Sequence, residues 1–159
     1  MKMKNLMKNM AMALPVAMLG LGAPAQADER MPVITDALTK AECSACHMAY
    51  QPGFLPARSW KTIMATLDSH FGEDASLGEA DRAAIEAYLV ANAADAGGRS
   101  TKMLRGVGPN DYILRISEMP WWVREHRGEV SQRAWDRAGS KANCTACHRG
   151  ADQGWYDDD

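Results

Sequence analysis

Cys43-Ser44-Ala45-Cys46-His47 decides how this chain is read, and Cys144-Thr145-Ala146-Cys147-His148 repeats it towards the other end. Both are Cys-x-x-Cys-His, the attachment signature of c-type haem. On a helix, residues i and i+3 share a face, so two thiols there can reach the two vinyl groups of one porphyrin and form thioethers. The histidine that follows projects from the same side, where its imidazole can take the iron as proximal ligand. The two copies use every cysteine in the chain. Cys43, Cys46, Cys144 and Cys147 are therefore expected to bind two thioether-linked c-type haems, with His47 and His148 on the irons. Disulfides, a thioredoxin-type redox pair and a four-thiolate zinc site are the other uses of such cysteines. None of them explains a histidine directly behind both pairs, and no βαβ pattern accompanies either pair.

The chemistry implies export, and the start of the chain reads accordingly. Lys2, Lys4 and Lys8 precede an apolar run from Met10 to Leu21, and Ala25-Gln26-Ala27 is a small-x-small cleavage site. That is the layout of a secretory signal peptide over residues 1–27, with an apolar run too short to span a membrane. An N-terminal anchor helix is the alternative. Cleavage after Ala27 leaves 132 of the 159 residues, with 15 basic against 20 acidic side chains, a net charge of about −5. The expected location is the periplasm, and the mature form is not membrane-spanning. An acidic exported chain lacks the basic footprint of nucleic-acid binding.

Helix signals dominate the remainder. Thr39-Lys40-Ala41-Glu42 and Ser76-Leu77-Gly78-Glu79 read as capping boxes, the first opening a helix that carries Cys43 to His47. Trp60, Ile63, Met64, Leu67, His70 and Phe71 form one apolar helical stripe that Gly72 ends. Ile85, Tyr88 and Leu89 face a further helix, closed by Gly97-Gly98. Residues 98–112, with Gly98, Gly106, Gly108 and Pro109, read as a linker or surface loop, and Tyr112 to Ile116 as a short strand or an extended lead-in. Pro120 starts a short helix running to about Arg127. Ser131 and Ser140 cap two more, the second carrying Cys144 to His148. Asp157-Asp158-Asp159 reads as a solvated tail. The expected fold is all-α, with two small haem-binding helical halves over residues 28–98 and 99–159. Halves of that size need a staple beyond side-chain burial.

Two irons call for two further axial ligands, and two histidines remain. His70 ends the stripe that would lie against a porphyrin, and His126 follows Trp122 by one helical turn. The inventory then closes, with four cysteines for four thioethers and four histidines for two bis-histidine irons. Methionine is the competitor: Met64, Met103 and Met119 are placed to offer a thioether, and a His/Met pair would raise the reduction potential. Met64 is better suited to filling a core gap. Spacing leaves open whether each distal histidine serves its own half, the economical loop closure, or crosses to the other haem.

Through these residues the chain resembles the dihaem cytochrome c family of bacterial exported electron carriers over nearly all of its mature length. The likeness is carried by Cys43–His47 with Pro52 to Pro56 and Ser59-Trp60, by His70 to Leu77, by Pro120-Trp121-Trp122 with His126, and by Asn143 to His148. It implies two bis-histidine c-haems in a two-part helical fold whose N-terminal half is similar to class I cytochromes c, with His70 and His126 at the distal positions. It also implies electron transfer between a membrane b-type cytochrome and a small monohaem oxygen-binding cytochrome c. The chain is expected to act as a monomeric electron carrier and not as an enzyme. The rival readings are a haem enzyme or gas-binding protein with one open iron, and a dihaem carrier with one His/Met haem. Intact-mass analysis of the exported polypeptide should show two covalently bound porphyrins; one or none would remove the shared premise of all three.

Overall fold

Asp36 opens the first helix, α1 (Ala37–Cys43), by accepting a hydrogen bond from the Thr39 amide at 2.7 Å through its carboxylate. A negative side chain at a helix start satisfies an orphan donor, and the same bond lowers the Asp36 pKa. The helix thus begins before Thr39, which is buried rather than capping, and it ends at Cys43 rather than running on to His47. The computed structural model describes residues 30–156; the signal peptide expected over 1–27 and the acidic tail 157–159 lie outside the described residues.

The second helix, α2 (Ala57–Ala65), follows a 3-10 turn over Pro52–Phe54. The carboxylate of Asp95 accepts from the Ala57 amide at 2.7 Å, so the start of α2 is capped from a distant part of the chain. Trp60, Ile63 and Met64 are buried on its inner face. The helical stripe stops sooner than its periodicity suggests. Thr66 takes φ −129°, a 3-10 turn covers Leu67–Ser69, and His70 and Phe71 lie outside any helix. The hydroxyls of Thr62 and Thr66 donate back to the carbonyls of Arg58 and Thr62, a habit that weakens a helix interior.

The longest helix, α3 (Glu79–Ala91), buries Ile85 and Leu89 against α2. Gly78 stands at its N-cap and Ser76 does not cap it; the Ser76 amide instead donates to Asp74. The helix stops at Asn92, whose side-chain amide donates to the Tyr88 carbonyl, several residues before Gly97. The stretch from Gly98 is partly ordered as 3-10 helix over Gly98–Leu104, with Met103 buried. Tyr112 to Ile116 is a lead-in without strand pairing, and a 3-10 turn (Ile116–Glu118) follows. Pro120 occupies the first turn of α4 (Pro120–Glu125), as a missing N–H and a preset φ favour; the helix ends one residue before His126. Ser131 caps α5 (Gln132–Ala138) by accepting from the Ala134 amide. Ser140 accepts from the Ala142 amide without starting an α-helix, and the second motif forms a 3-10 turn over Cys144–Ala146.

Among the described residues the structure is helical, with isolated bridges at Arg30–Trp155 and His70–Glu73 and no named strand. None of these helices is long and apolar enough to cross a membrane. One apolar cluster joins Phe54, Leu55, Trp60, Ile63, Met64, Ile85 and Leu89 to Met103, Met119, Trp121 and Trp122, so both sides of Gly98 contribute to a shared core. Further ties cross the same boundary. The Arg58 guanidinium donates to the carbonyls of Gly108 and Asp111, and the Gln51 amide to the Ala151 carbonyl. The Met31 amide meets the Gly154 carbonyl at 2.9 Å.

That last contact leaves no room for a side chain. Gly154 has φ +81°, and a Cβ there would land on the Met31 carbonyl oxygen. Gly154→Ala should therefore lose about 2 kcal/mol and lower the thermal midpoint measured by circular dichroism of the haem-loaded protein.

Candidate haem sites

Each proximal histidine hangs at the end of a short turn. In the first motif, α1 runs out at Cys43 and the chain turns through Ser44 to Cys46, so His47 leaves from the exposed side. In the second, the 3-10 turn is tied by the His148 amide donating to the Cys144 carbonyl at 2.8 Å. The α-helical geometry expected for the two motifs is therefore replaced by the end of a helix and a tighter turn. Both motifs place the first cysteine inwards and the second outwards: Cys43 and Cys144 are half-buried, Cys46 and Cys147 exposed. Burial pushes the Cys43 thiol up, with Glu42 adding to it, and pushes Cys144 up to about 11, for as long as either sulfur is free and not yet part of a thioether.

His70 comes from a turn and not from a helix face. The amides and carbonyls of His70 and Glu73 bond reciprocally at 2.8 and 3.1 Å around Phe71 (φ +54°) and Gly72 (φ +108°), both left-handed as in a type I′ turn. A phenylalanine rarely adopts that conformation; here its ring is exposed and covered by the Arg115 guanidinium 4.2 Å from its centre. The Ala75 amide closes the loop onto the Leu67 carbonyl at 2.8 Å. Burial first, then His47 and Arg115, hold His70 below the ordinary imidazole value, favouring the neutral, ligating form.

His126 is the residue after α4. Its amide and its Nδ1 both approach the Trp122 carbonyl, at 3.1 and 2.8 Å. The Trp122 ring lies 4.0 Å away with planes 16° apart, and Trp135 stands 6.0 Å from His126. His47 has the same support, with Nδ1 2.7 Å from the Met48 carbonyl. A carbonyl only accepts, so the proton sits on Nδ1 in both rings and Nε2 keeps its lone pair for a metal.

The structure brings the histidines together in local pairs. His47 and His70 have ring centroids 6.2 Å apart with planes inclined by 22°, and His126 and His148 have centroids 6.2 Å apart with planes at 89°. Two imidazole nitrogens about 2 Å from a shared metal, each about 1 Å from its own ring centre, put the centroids about 6 Å apart. Both pairs thus fit one metal ion between them, and each lies beside a pair of cysteines at attachment spacing. The competing methionines Met64, Met103 and Met119 belong to the apolar core and are almost fully buried.

Residues that motif reading passes over complete the surroundings. Tyr50 lies 4.8 Å from His47 with planes 22° apart, and Tyr156 lies 5.6 Å from His148. Burial pushes the Tyr50 phenol up to about 12 and raises Tyr156 too, so both remain protonated. Trp121, packed against Phe54 at 5.2 Å, keeps its indole N–H buried without a hydrogen-bond partner among the described residues. An aromatic three residues behind His47 was the available signal for Tyr50; nothing local marks Tyr156.

Known proteins resemble this chain. The model of the dihaem cytochrome c family matches residues 39–156. A diheme cytochrome c from Rhodobacter sphaeroides is 58% identical, with 78% of this chain and 98% of that chain covered at a TM-score of 0.75. A diheme type c cytochrome from Shewanella baltica OS155 is 35% identical, with 79% and 89% covered at a TM-score of 0.63. Among curated proteins none matches. Replacing His126 by alanine should leave two attached porphyrins by mass and turn one of the two irons high-spin in its absorption spectrum; an unchanged low-spin spectrum would remove His126 as a ligand.

Proposed function

This chain belongs to the dihaem cytochrome c family and carries two c-type haems, and on that premise we propose that it is a periplasmic electron shuttle with both irons bis-histidine. The observation that carries the reading is the equal 6.2 Å spacing of His47 with His70 and of His126 with His148. Haem supplies the one-electron ferric–ferrous couple, and the protein decides what else can approach it. Cys43 and Cys46 would hold one haem, Cys144 and Cys147 the other. The carbonyls of Met48 and Trp122 orient His47 and His126, so their donor nitrogens need no rearrangement when charge on the metal changes. The hairpin turn at Phe71-Gly72 and the stacking of Trp122 limit how far either distal ring can swing away. With His47 and His70 holding one haem and His126 and His148 the other, neither would offer a place for oxygen or peroxide. Methionine ligation is disfavoured by the burial of Met64, Met103 and Met119 in the core.

Delivery to the periplasm rests on the lysine-led apolar leader that ends at Ala27. The mature chain is acidic, and haem propionates add to that, so a partner with a basic face would be steered to it mainly through the association rate. A membrane b-type cytochrome as donor and a small monohaem oxygen-binding cytochrome c as acceptor are the partners the family likeness favours. Low-temperature electron paramagnetic resonance of the oxidised protein should show two low-spin irons. The reduced protein should give no prompt spectral change with carbon monoxide at neutral pH. A water-ligated or carbon-monoxide-reactive iron would favour an enzyme or gas-binding role, and the red-region band of methionine–ferric iron a His/Met haem.

A further inference from the structure

The two motifs are far apart in the chain, yet their proximal histidines are linked by a pair of reciprocal aromatic contacts. Tyr50 lies against the His47 ring, and its hydroxyl donates to the Ala142 carbonyl at 2.6 Å. Ala142 stands two residues before Cys144, whose thiol lies 3.8 Å from the same carbonyl oxygen. Tyr156 lies against the His148 ring, and its hydroxyl donates to the side-chain oxygen of Gln51, the residue next to Tyr50. The Gln51 amide in turn donates to the Ala151 carbonyl at 2.8 Å, three residues behind His148, and Gln51 is fully buried. Each proximal histidine therefore has a tyrosine beside it whose hydroxyl reaches the segment that carries the other.

Gln51 is the buried member of this set, and a buried amide is costly unless its partners are in place, so its bonds to Ala151 and Tyr156 hold the two segments in one register. Core packing alone would serve as well with phenylalanine at either position. What the hydroxyls add is a continuous path of ring contact and hydrogen bond, from the His47 imidazole through Tyr50 to the backbone of the second motif.

We propose that Tyr50 is the bridge between the two haem sites, carrying electronic coupling from the His47 ring through its hydroxyl to the Ala142–Cys144 segment, with Gln51 and Tyr156 holding the two segments in register. In each exchange the ferrous iron of one site gives up one electron and the ferric iron of the other takes it. Tyr50 keeps its proton and its electrons throughout. This inference rests on the electron-carrier reading, and its failure is distinguishable from the failure of that reading.

The test uses the haem-loaded protein with Tyr50→Phe, which keeps the ring and removes the hydroxyl, and Tyr50→Leu, which removes both. Exchange spectroscopy of haem methyl resonances at partial reduction reads the intramolecular exchange rate. Tyr50→Phe should slow that exchange several-fold and Tyr50→Leu further, with two porphyrins by mass and two unchanged low-spin signals. An exchange rate in Tyr50→Phe equal to the parent's would overturn the bridge, leaving direct contact between porphyrin edges as the route and the carrier reading intact. Should Tyr50→Leu fail to load both haems, Tyr50→Phe alone decides. A parent protein lacking two low-spin irons would instead sink the carrier reading itself.

Discussion

Two pairs of imidazole rings stand with centroids 6.2 Å apart, a separation one metal ion could fill, and the surrounding structure fixes where each ring lies. The proximal side is the easier half. His47 and His148 sit directly behind cysteine pairs, so attachment there would itself bring each histidine to its porphyrin. The distal side has no such tether. His70 and His126 are aimed by the chain around them, through two different devices. One is a two-residue turn with left-handed Phe71 and Gly72; the other is the exposed end of a six-residue helix, where one Trp122 carbonyl takes both the amide and the ring nitrogen of His126. Both devices are short and stiff, which a ligand needs if its donor atom is to stay in place when the metal changes charge.

The two devices also produce different outcomes at equal separation. The His47 and His70 planes are inclined by 22°, those of His126 and His148 by 89°. Were each pair to hold a haem iron, the two irons would stand between differently inclined rings within one chain. The asymmetry follows the different settings of the rings, a tight turn before Glu73 for His70 and the end of α4 with the stacked Trp122 ring for His126.

Helical periodicity misled where a helix had to end for a ligand to be placed. Trp60, Ile63 and Met64 do form the buried face of α2, as their spacing indicates, but the run to His70 breaks at Thr66. Threonine hydroxyls competing for helix carbonyls and a Phe-Gly pair that closes a turn are local signals, and both were present in the chain. The capping boxes at Thr39 and Ser76 failed for a different reason: Asp36 caps the first helix earlier and more strongly, and Gly78 starts α3 without a side-chain partner. Pro120 and Ser131 behaved as local chemistry dictates because nothing nearby competed with them.

The sequence by itself determined the cofactor, its number and the side chains suited to hold it, because covalent attachment is encoded within five consecutive residues and needs no long-range contact. It also determined the helical class, since apolar periodicity is read one turn at a time. Only the tertiary structure decided that His70 meets His47 and His126 meets His148, that the two ring pairs differ in inclination, and that Tyr50 and Tyr156 reach across to each other's segments. Those features depend on where loops close and on a core shared by residues from both ends of the chain, and no local pattern records the distance between segments that meet only after folding.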